Sequence, residues 1–402
     1  MKKSHDETYS IAIIGSRGIP NRYGGFEKFT EILSIELVKK GKKVYVSCEY
    51  VEEPKASKYN GVNLFYFPIK PPKMNLLRII YEFLYDGYSL FWASMNANKV
   101  YMLGYSAAML FFIPKLFGKE LLVNPDGMEW KRSKFNGLIK SLLKLSENLA
   151  VFWADTMIAD SKAIKEYLDN KYSINSIFIP YGATKIKEIE WNKEILPEKI
   201  KNLKINPSYY LVVARLEPEN NIKMIIEGYL KSETVKPLII VGDFADSDYE
   251  KSIKKIIEGS PKDKKIVFTG GIYDPELLNM LRQNCYAYIH GHSVGGTNPS
   301  LLEGIISKNL VIAHDNVFNE EVCSKNAYYF KDSDDVSAKI KLIEKYPQNY
   351  FEFKNSIYNV AKDYYSWNRV VTQYNILFTP MNDLILNFDR INSENRGSLN
   401  KW

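Results

Sequence analysis

The chain alternates short apolar runs with amphipathic helical stretches, and it does so in two separate series. Apolar runs of this length are typical of buried strands, and helices between successive strands indicate that the strands run parallel. The first series begins with the run Tyr9–Ile14, and the second begins with Tyr209–Ala214. The sequence therefore predicts two α/β domains in tandem, each built on a parallel sheet.

The domain boundaries follow from a polar stretch of weak pattern between the two series. We expect a first domain at residues 1–184, a linker at 185–206 and a second domain at 207–365, with a loose tail at 391–402. Ligands of such sheets bind beyond the carboxyl ends of the strands. Two facing sheets would therefore hold a ligand in the cleft between the domains.

The segment His290–Gly304, HGHSVGGTNPSLLEG, connects a predicted strand to a predicted helix that begins at Pro299. Unpaired N–H groups and the helix dipole favour anionic oxygen at such a helix start. Glu303 lies one turn into the helix, where it can bind a hydroxyl group of the same ligand. A phosphate beside a polyol indicates a sugar nucleotide, although glycine-containing strand–turn–helix units also occur without one.

The loop Gly15–Gly25, GSRGIPNRYGG, precedes the first long helix. Its glycine spacing is not GxGxxG, and no acidic residue ends the second strand, which argues against a nicotinamide enzyme. Gly24 and Gly25 let a ligand's oxygen approach backbone amides, and Arg17 adds positive charge. The alternative is a flexible turn with surface arginines.

Arg215 comes directly after the first strand of the second series, in VVARLEPENN. An arginine at the carboxyl end of a strand faces the predicted cleft, where its planar guanidinium can hold a diphosphate. The alternative is a surface ion pair with Glu217 or Glu219.

Composition excludes several classes of protein. With 402 residues, 46% of them hydrophobic and 25% charged, the chain has the make-up of an ordinary globular protein. Its three cysteines, Cys48, Cys285 and Cys323, have no metal-ligand or disulfide spacing, which fits a reducing compartment. The polar N-terminus lacks the apolar core of a signal peptide, and the apolar runs are far shorter than the ~20 residues that span a bilayer. We therefore expect a cytoplasmic protein.

The charge is unevenly distributed along the chain. The first 200 residues hold 29 of the 54 basic and 22 of the 47 acidic residues, so the whole net charge of +7 lies there. A basic half favours a membrane surface, a pyrophosphate or a nucleic acid, and a solvated lysine-rich surface is the alternative. Because the basic residues are dispersed and carry no RNA or DNA motif, we do not expect nucleic acid as a partner.

Four segments together resemble retaining glycosyltransferases of family 4, and more narrowly the capsule and exopolysaccharide rhamnosyltransferases of bacteria. They are IAIIGSRGIPNRYGGFEKF near the start, NPDGMEWKR at 124–132, ARLEPENN at 214–221 and HGHSVGGTNPSLLE at 290–303. The resemblance covers essentially the whole chain. It implies the GT-B fold, in which two Rossmann-like domains face a central cleft and a C-terminal helix, here within 366–390, packs back on the first domain.

The activity implied by this resemblance is the transfer of a sugar, in the first instance L-rhamnose from dTDP-rhamnose, to a lipid-linked saccharide. The donor is then a nucleotide-diphosphate sugar, and the acceptor is a polyprenyl-diphosphate-linked sugar used in capsule or exopolysaccharide synthesis. The transferred sugar could instead be glucose, galactose or mannose. The sequence is also compatible with a nucleotide-sugar epimerase of the same two-domain shape and with a non-catalytic binding module.

The resemblance also assigns roles to residues. Arg215 matches the arginine that binds the donor diphosphate, and Glu303 matches a glutamate that binds the donor ribose. Asn220 stands where a lysine is common, and Gly295 stands where a sugar-binding glutamate is common. Asp126 falls near a family histidine beside the reacting sugar, and a turn residue before glycine is its alternative. The remaining donor-side candidates are Gly296, Thr297, Asn298 and Ser300, and the remaining phosphate-loop and acceptor-side candidates are Arg17, Tyr23, Gly24, Gly25, Glu129 and Arg132.

The expected chemistry needs no metal or other cofactor. Arg215 and the amides at the start of the Pro299 helix would stabilise the leaving diphosphate, and Asp126 would hold an acceptor hydroxyl or relieve its proton. The run Asp246–Asp248 has the DxD pattern of metal-dependent transferases, but it fits a helix cap. His290 and His292 have no third ligand nearby in the sequence.

Three helical stretches of the first domain combine aromatic or apolar residues with lysines: Asn75–Asn98, Ala107–Lys119 and Phe135–Trp153. Such helices can lie in a membrane interface, and they can equally cover a parallel sheet. The basic first half and the lipid-linked acceptor implied by the resemblance favour a peripheral protein on the inner face of the cell membrane.

Overall fold

Two sheets covered by helices make up the computed structural model of the chain. The structure describes residues 9–21, 24–52, 55–131, 137–201, 208–244, 247–347 and 350–380.

The first domain is built, in its described part, on an eight-stranded sheet of order β3-β4-β2-β1-β5-β6-β7-β8. All neighbouring strands in it run parallel except β3 and β4. The strands are β1 (Ser10–Ile14), β2 (Lys43–Cys48), β3 (Lys58–Tyr59), β4 (Val62–Tyr66), β5 (Lys99–Leu103), β6 (Glu120–Asn124), β7 (Thr156–Ala159) and β8 (Ile177–Phe178).

The predicted parallel first sheet is confirmed, with one antiparallel strand pair at its edge. Strand β3 forms an antiparallel hairpin with β4 across the dipeptide Asn60–Gly61. Both of these residues have positive φ, +46° and +85°. Asn-Gly is the preferred sequence for such a two-residue turn, so the hairpin has a local cause.

The second sheet has six described strands, all parallel, in the order β11-β10-β9-β12-β13-β14. Its central strand β9 lies between β10 and β12, so the loops after β9 and β12 are neighbours at the carboxyl edge. The strands are β9 (Tyr210–Val213), β10 (Leu238–Val241), β11 (Ile266–Gly270), β12 (Ala287–His290), β13 (Val311–His314) and β14 (Tyr328–Phe330).

The helices connect the strands and cover both faces of each sheet. Short 3₁₀ turns at Ala108–Leu110, Glu129–Lys131 and Pro218–Asn220 supplement them. In chain order the described helices are α1 (Gly25–Lys39), α2 (Asn75–Asn96), α3 (Phe112–Leu116), α4 (Gly137–Trp153), α5 (Lys162–Tyr172), α6 (Glu198–Lys201), α7 (Ile222–Lys231), α8 (Ser247–Glu258), α9 (Pro275–Asn284), α10 (Pro299–Ile306), α11 (Val317–Cys323), α12 (Ser333–Lys345), α13 (Tyr350–Tyr364) and α14 (Trp367–Leu377).

Helix α1 shows how the sequence fixes a helix that borders the cleft. Its apolar stripe, which includes Phe29, Leu33 and Leu37, is buried against the first sheet. Gly41, just beyond the helix, has a φ of +82°, and its N–H bonds to the Val38 carbonyl. The N–H of the following residue, Lys42, bonds to the carbonyl of Leu37. This pair of bonds is the Schellman motif, in which glycine avoids the strain of a side chain.

The stretch between the domains has more structure than its polar pattern predicts. It contains α6, and Leu196 and Ile200 are buried there. Both pack in a cluster with Tyr209 and Met280 of the second domain. The linker is therefore anchored to the second sheet by two apolar residues four positions apart.

The predicted return of the C-terminal helix to the first domain is confirmed. Tyr374 of α14 is fully buried, and its hydroxyl lies 2.8 Å from the hydroxyl of Tyr101 on β5. Lys99 donates to the Leu377 carbonyl at 2.9 Å, and Phe378 is buried against the same sheet. The predicted tail at 391–402 lies outside the described residues.

We predict that Tyr374→Ala lowers the free energy of unfolding by about 3–5 kcal/mol, because it removes a buried aromatic side chain that joins α14 to the first sheet. Tyr374→Phe is the matched control. It loses only the hydroxyl group, which pairs with Tyr101, and it should lower the free energy of unfolding by about 1 kcal/mol. Chemical denaturation of the whole chain measures both values, and equal effects of the two variants would contradict the packing role.

Candidate active site

Loops from the two sheets meet directly at the cleft. A Cβ built on Gly127, which follows β6, would lie 3.1 Å from Cα of Gly295 in the loop after β12. A Cβ on Gly25, at the start of α1, would lie 3.7 Å from Pro299 at the start of α10. The structure therefore brings together the two glycine-containing loops that the sequence singled out. Two helix starts, one from each domain, face each other there.

Asp126 lies on the first-domain wall of the cleft, two residues after β6. Its φ is +58°, and its backbone N–H donates to Oδ1 of Asn124 at 3.0 Å. Aspartate tolerates this left-handed conformation better than most residues, and such conformations are often found at functional sites. Tyr181 donates from its hydroxyl to Oδ1 of Asp126 at 3.3 Å. The carboxylate is thus oriented by its neighbours at the sheet edge.

Asp160 follows the adjacent strand β7 and is not among the residues predicted from the sequence. It is 2% exposed, and neither of its carboxyl oxygens has a hydrogen-bond partner among the described residues. Burial, reinforced by the charges of Asp126 and Glu321, raises the pKa of Asp160 well above its usual value. The signal was available, because an acidic residue just beyond a parallel strand lies at the edge of the sheet where ligands bind.

The loop after β12 is held on the first domain by contacts that leave no room for side chains. A Cβ on Gly296 would lie 1.8 Å from Oδ1 of Asp160. Thr297, also buried, donates its hydroxyl to the backbone carbonyl of Asp160. Gly295 has a φ of +117°, which strains any other residue. Glycine at both positions is therefore a structural requirement of this contact.

Arg215 projects from the carboxyl end of β9 with its side chain 57% exposed. Its nearest described acidic partner is Glu217, at 3.5 Å. An ion pair this exposed holds the guanidinium weakly. The side chain can therefore exchange Glu217 for an anionic ligand at the edge of the sheet.

Asn220 is engaged within the protein. Its Nδ2 donates to the Arg215 carbonyl at 2.7 Å, and its Oδ1 lies 2.8 Å from Nδ1 of His292. The side chain joins the loop after β9 to the loop after β12. Its position in the structure is that of a residue that orients the Arg215 loop.

Glu303 forms the charged centre of the contact between the two helix starts. It pairs with Lys28 of α1 and with Arg282 of α9, the latter at 2.6 Å, and its side chain is 14% exposed. Burial alone raises its pKa, but Arg282 and Lys28 outweigh burial and hold the pKa below the usual glutamate value. The predicted ribose-binding residue is therefore an ionised bridge between the domains.

The start of α10 is capped from within the chain. Asn298 is the N-cap residue and accepts from the Ser300 N–H at 2.8 Å. The Ser300 hydroxyl bonds to the Val213 carbonyl at 2.8 Å and pairs with the Tyr288 hydroxyl at 2.7 Å. The Ser300 side chain thus ties the helix start to β9 and β12, and it thereby fixes the direction in which the helix dipole points.

The remaining predicted residues lie around the first-domain wall. Arg17 makes long ion pairs with Glu49 and Glu82, at 3.9 and 3.8 Å, and Gly24 is the N-cap residue of α1. Glu129 lies in a 3₁₀ turn and donates its N–H to the Tyr105 hydroxyl at 3.1 Å. Tyr23 and Arg132 lie outside the described residues, as does Asp246 of the DxD-like run.

A cavity opens in the second domain beside the Arg215 loop. It has a volume of about 460 Å³ at the carboxyl ends of β10 and β11, and Phe244 and Phe268 line it. Phe244 also pairs through the backbone with Leu216, the residue after Arg215. The cavity therefore adjoins the proposed diphosphate site.

Among the described residues, no group of three or more His, Cys, Asp and Glu side chains is arranged to hold a metal ion. His290 is buried, and burial together with His292 and His314 lowers its pKa well below the usual value. The three cysteines are free and buried. Metal independence remains a prediction.

Two family models match the chain. Residues 8–184 match the model described as "Domain of unknown function (DUF1972)", and residues 196–363 match "Glycosyl transferases group 1". Together with the facing sheets, the second match identifies the chain as a glycosyltransferase with the GT-B fold. No relative was found among curated protein sequences.

Solved structures support the fold. Sucrose-phosphate synthase from Thermosynechococcus elongatus is 12% identical, with a TM-score of 0.76 over 92% of this chain and 98% of that one. HepE of Anabaena in complex with UDP is 14% identical, with a TM-score of 0.68 over 91% and 98%. A trehalose 6-phosphate synthase from Burkholderia multivorans is 9% identical, with a TM-score of 0.69 over 96% and 98%. At these identities the likeness concerns the fold alone.

We predict that Glu303→Gln lowers the free energy of unfolding by about 3 kcal/mol at pH 7, because it leaves Arg282 buried without its anionic partner. The folded-state pKa of Glu303 is depressed, so its stabilisation is present above the unfolded value of about 4.3 and is lost as the pH falls through the folded value. The difference in the free energy of unfolding between variant and wild type should therefore disappear only below about pH 4.

Chemical denaturation from pH 7 downward measures that difference. Glu198→Gln is the matched control, since its ion pair with Lys201 is exposed, and it should change little at any pH. A Glu303→Gln effect that is absent at pH 7, or that is independent of pH, would contradict the bridge.

Proposed function

We propose that this glycosyltransferase transfers a sugar, in the first instance L-rhamnose from dTDP-rhamnose, to a polyprenyl-diphosphate-linked saccharide in capsule or exopolysaccharide synthesis. The reaction is proposed to retain anomeric configuration, as in glycosyltransferase family 4, and to need no metal. The observation that carries the proposal is the cleft itself. Arg215 and the α10 start lie on its second-domain side, and Asp126 and the α1 start lie on its first-domain side.

The charges of the cleft suit the departure of a nucleoside diphosphate. Cleavage of the bond between sugar and phosphate leaves negative charge on the diphosphate. The weakly held Arg215 guanidinium and the dipole at the start of α10 can both stabilise that charge. Asp126, oriented by Tyr181, can accept a hydrogen bond from the acceptor hydroxyl on the opposite wall.

The cavity beside the Arg215 loop offers a place for the nucleoside. Its phenylalanine rings, 5.6 Å apart, supply apolar surface for a base, and Asp243 at its rim supplies a polar group. The structures of HepE were solved in complex with UDP and with UDP-glucose, and a starch synthase from Arabidopsis thaliana was solved with ADP and acarbose. These complexes support a nucleotide sugar as the donor.

The donor enters when the two domains separate. The space between the two helix starts, lined by Gly25, Lys28, Pro299 and Glu303, encloses about 10 Å³. That volume holds about one water molecule. Donor binding is therefore proposed to displace the bridge of Lys28 and Glu303 and to leave Glu303 available for the ribose.

We predict that the enzyme forms product from one member of a panel of thymidine, uridine and guanosine diphosphate sugars, offered with a polyprenyl-diphosphate-linked glucose acceptor. Arg215→Ala should lower turnover with that donor at least ~10²-fold, the usual loss for one group that stabilises a transition state. Mass spectrometry of the products measures both outcomes.

Lys231→Ala serves as the control for loss of a cation from the second domain. Lys231 ends α7 and pairs with the exposed Asp334, so its removal should leave turnover unchanged. Near-normal transfer by Arg215→Ala would contradict the assigned role. Sugar interconversion without acceptor would indicate an epimerase instead.

The first domain exposes apolar side chains on three adjoining helices. Phe91 of α2 contacts Phe117 at the end of α3, and Phe112 of α3 contacts Trp153 of α4. Not every aromatic residue of α2 belongs to this surface, since Trp92 stacks on Phe65 in the core. The exposed members, here called the apolar face, are Leu77, Ile79, Ile80, Phe83, Leu84, Phe91, Met95, Met109, Phe112, Leu116, Phe117, Leu138, Leu142, Leu145 and Phe152.

We propose that the apolar face lies in the interface of the cytoplasmic membrane leaflet and brings the cleft to a lipid-linked acceptor. An exposed apolar patch of this extent is typical of an interaction surface, and the net positive charge of the first 200 residues favours an anionic lipid surface. No described helix is both long and apolar enough to cross a bilayer, so the proposed attachment is peripheral.

We predict that the double variant Leu116→Glu/Phe152→Glu loses binding to anionic vesicles, by at least about tenfold for each buried side chain that is removed. Both residues are 74% exposed, so the variant should fold normally. Co-sedimentation at low and high salt measures the binding. Val235→Glu is the control, because Val235 is 85% exposed on the second domain.

We expect the control Val235→Glu to bind the vesicles as the wild type does, and the double variant to lose this binding. Wild-type protein that binds the vesicles at neither salt concentration would contradict the membrane proposal and leave the transferase proposal intact.

A further inference from the structure

We propose that Asp160 binds a hydroxyl group of the transferred sugar from the first-domain wall of the cleft, in place of the side chain that Gly295 lacks. The inference rests on the proposed function, because it concerns the sugar of the nucleotide donor. It assigns sugar recognition to the domain opposite the one that holds the diphosphate.

The first observation is an unpartnered buried carboxyl group. Asp160 is 2% exposed, yet neither of its oxygens has a hydrogen-bond partner in the described ranges. Buried polar groups of native proteins are nearly always paired, and an unpaired one is destabilising. Asp160 thus lowers the stability of the ligand-free enzyme. This is expected of a group that serves to bind a ligand and not to pack the core.

The second observation is where this carboxyl group lies. It occupies the space beside Gly296, where a Cβ would come within 1.8 Å of Oδ1 and 2.5 Å of Oδ2. Gly295 and Gly296 form the loop next to the start of α10, which is the proposed diphosphate site. A carboxyl group is therefore present beside this loop, but the first domain supplies it.

The third observation separates Asp160 from Asp126, its neighbour on the next strand. Asp126 accepts a hydrogen bond from Tyr181, while no other described residue bonds to the two oxygens of Asp160. The separation of the domains proposed above would expose these oxygens to a ligand. Burial, together with the nearby charges of Asp126 and Glu321, raises the pKa of Asp160 and favours its protonated form. A protonated carboxyl group both donates and accepts, as a sugar hydroxyl does.

The test compares the affinity for the nucleotide sugar that the wild-type enzyme turns over with the affinity for the corresponding free nucleoside diphosphate. Titration calorimetry on the full chain gives both. Asp160→Ala should weaken binding of the nucleotide sugar at least about tenfold, which corresponds to the loss of one hydrogen bond to a polar buried group. Asp160→Asn is the matched control, because its amide donates and accepts as the protonated acid does, and it should largely keep that affinity. The diphosphate affinity should stay unchanged, and the melting temperature should not fall.

A second pair of variants tests whether Asp160 binds the sugar or only affects the contact between the two domains. Gly296→Ala places a methyl group against the Asp160 carboxyl and should lower the melting temperature. Gly296→Ala/Asp160→Ala removes that clash, so the melting temperature should recover while the preference for the nucleotide sugar over the diphosphate stays lost.

A wild-type preference for the nucleotide sugar in Asp160→Ala or in the double variant would overturn the role of Asp160. A lower melting temperature of Asp160→Ala, together with equal losses of affinity for both ligands, would also overturn it, because it would show a packing residue. Wild-type enzyme that binds no nucleotide sugar would contradict the proposed function itself.

Discussion

The close approach of two backbone segments across the cleft is the constraint on which the site depends. Gly295 lies against Gly127, and Gly296 lies against the carboxyl group of Asp160. With no Cβ at these positions, the loop after β12 can rest directly on the ends of β6 and β7. The same contact brings Lys28 to Glu303 and the start of α1 to the start of α10. A side chain at Gly296 would separate the two walls.

Much of the fold is predictable from local pattern. Strands β1 and β9 lie within the predicted runs Tyr9–Ile14 and Tyr209–Ala214, because buried parallel strands are short apolar runs bounded by polar residues. The Schellman turn at Gly41 is equally local. Strand β3 and helix α6 were missed, since two- and four-residue elements carry no periodicity. Their stability comes from the Asn60–Gly61 turn and from the packing of Leu196 and Ile200.

The site is less predictable because its partners are distant in sequence. The positions of Asp126 and Arg215 follow from a simple rule, that the ends of parallel strands line the cleft. The partners of Glu303 do not, since Lys28 lies 275 residues away and Arg282 belongs to another helix. Asp160 satisfied the strand-end rule, but only its burial and lack of partners distinguish it from a surface residue.

The chain passes between the domains twice, and the two passages are bonded to each other. Ala183, beyond β8, donates its N–H to the Tyr365 carbonyl and forms a backbone bridge with Ser366, while Trp367 donates to Thr184. In the domain separation proposed for donor entry, these two linked passages would act as one hinge. Rotation about that hinge would open the far rim of the cleft more widely than the part near Gly182.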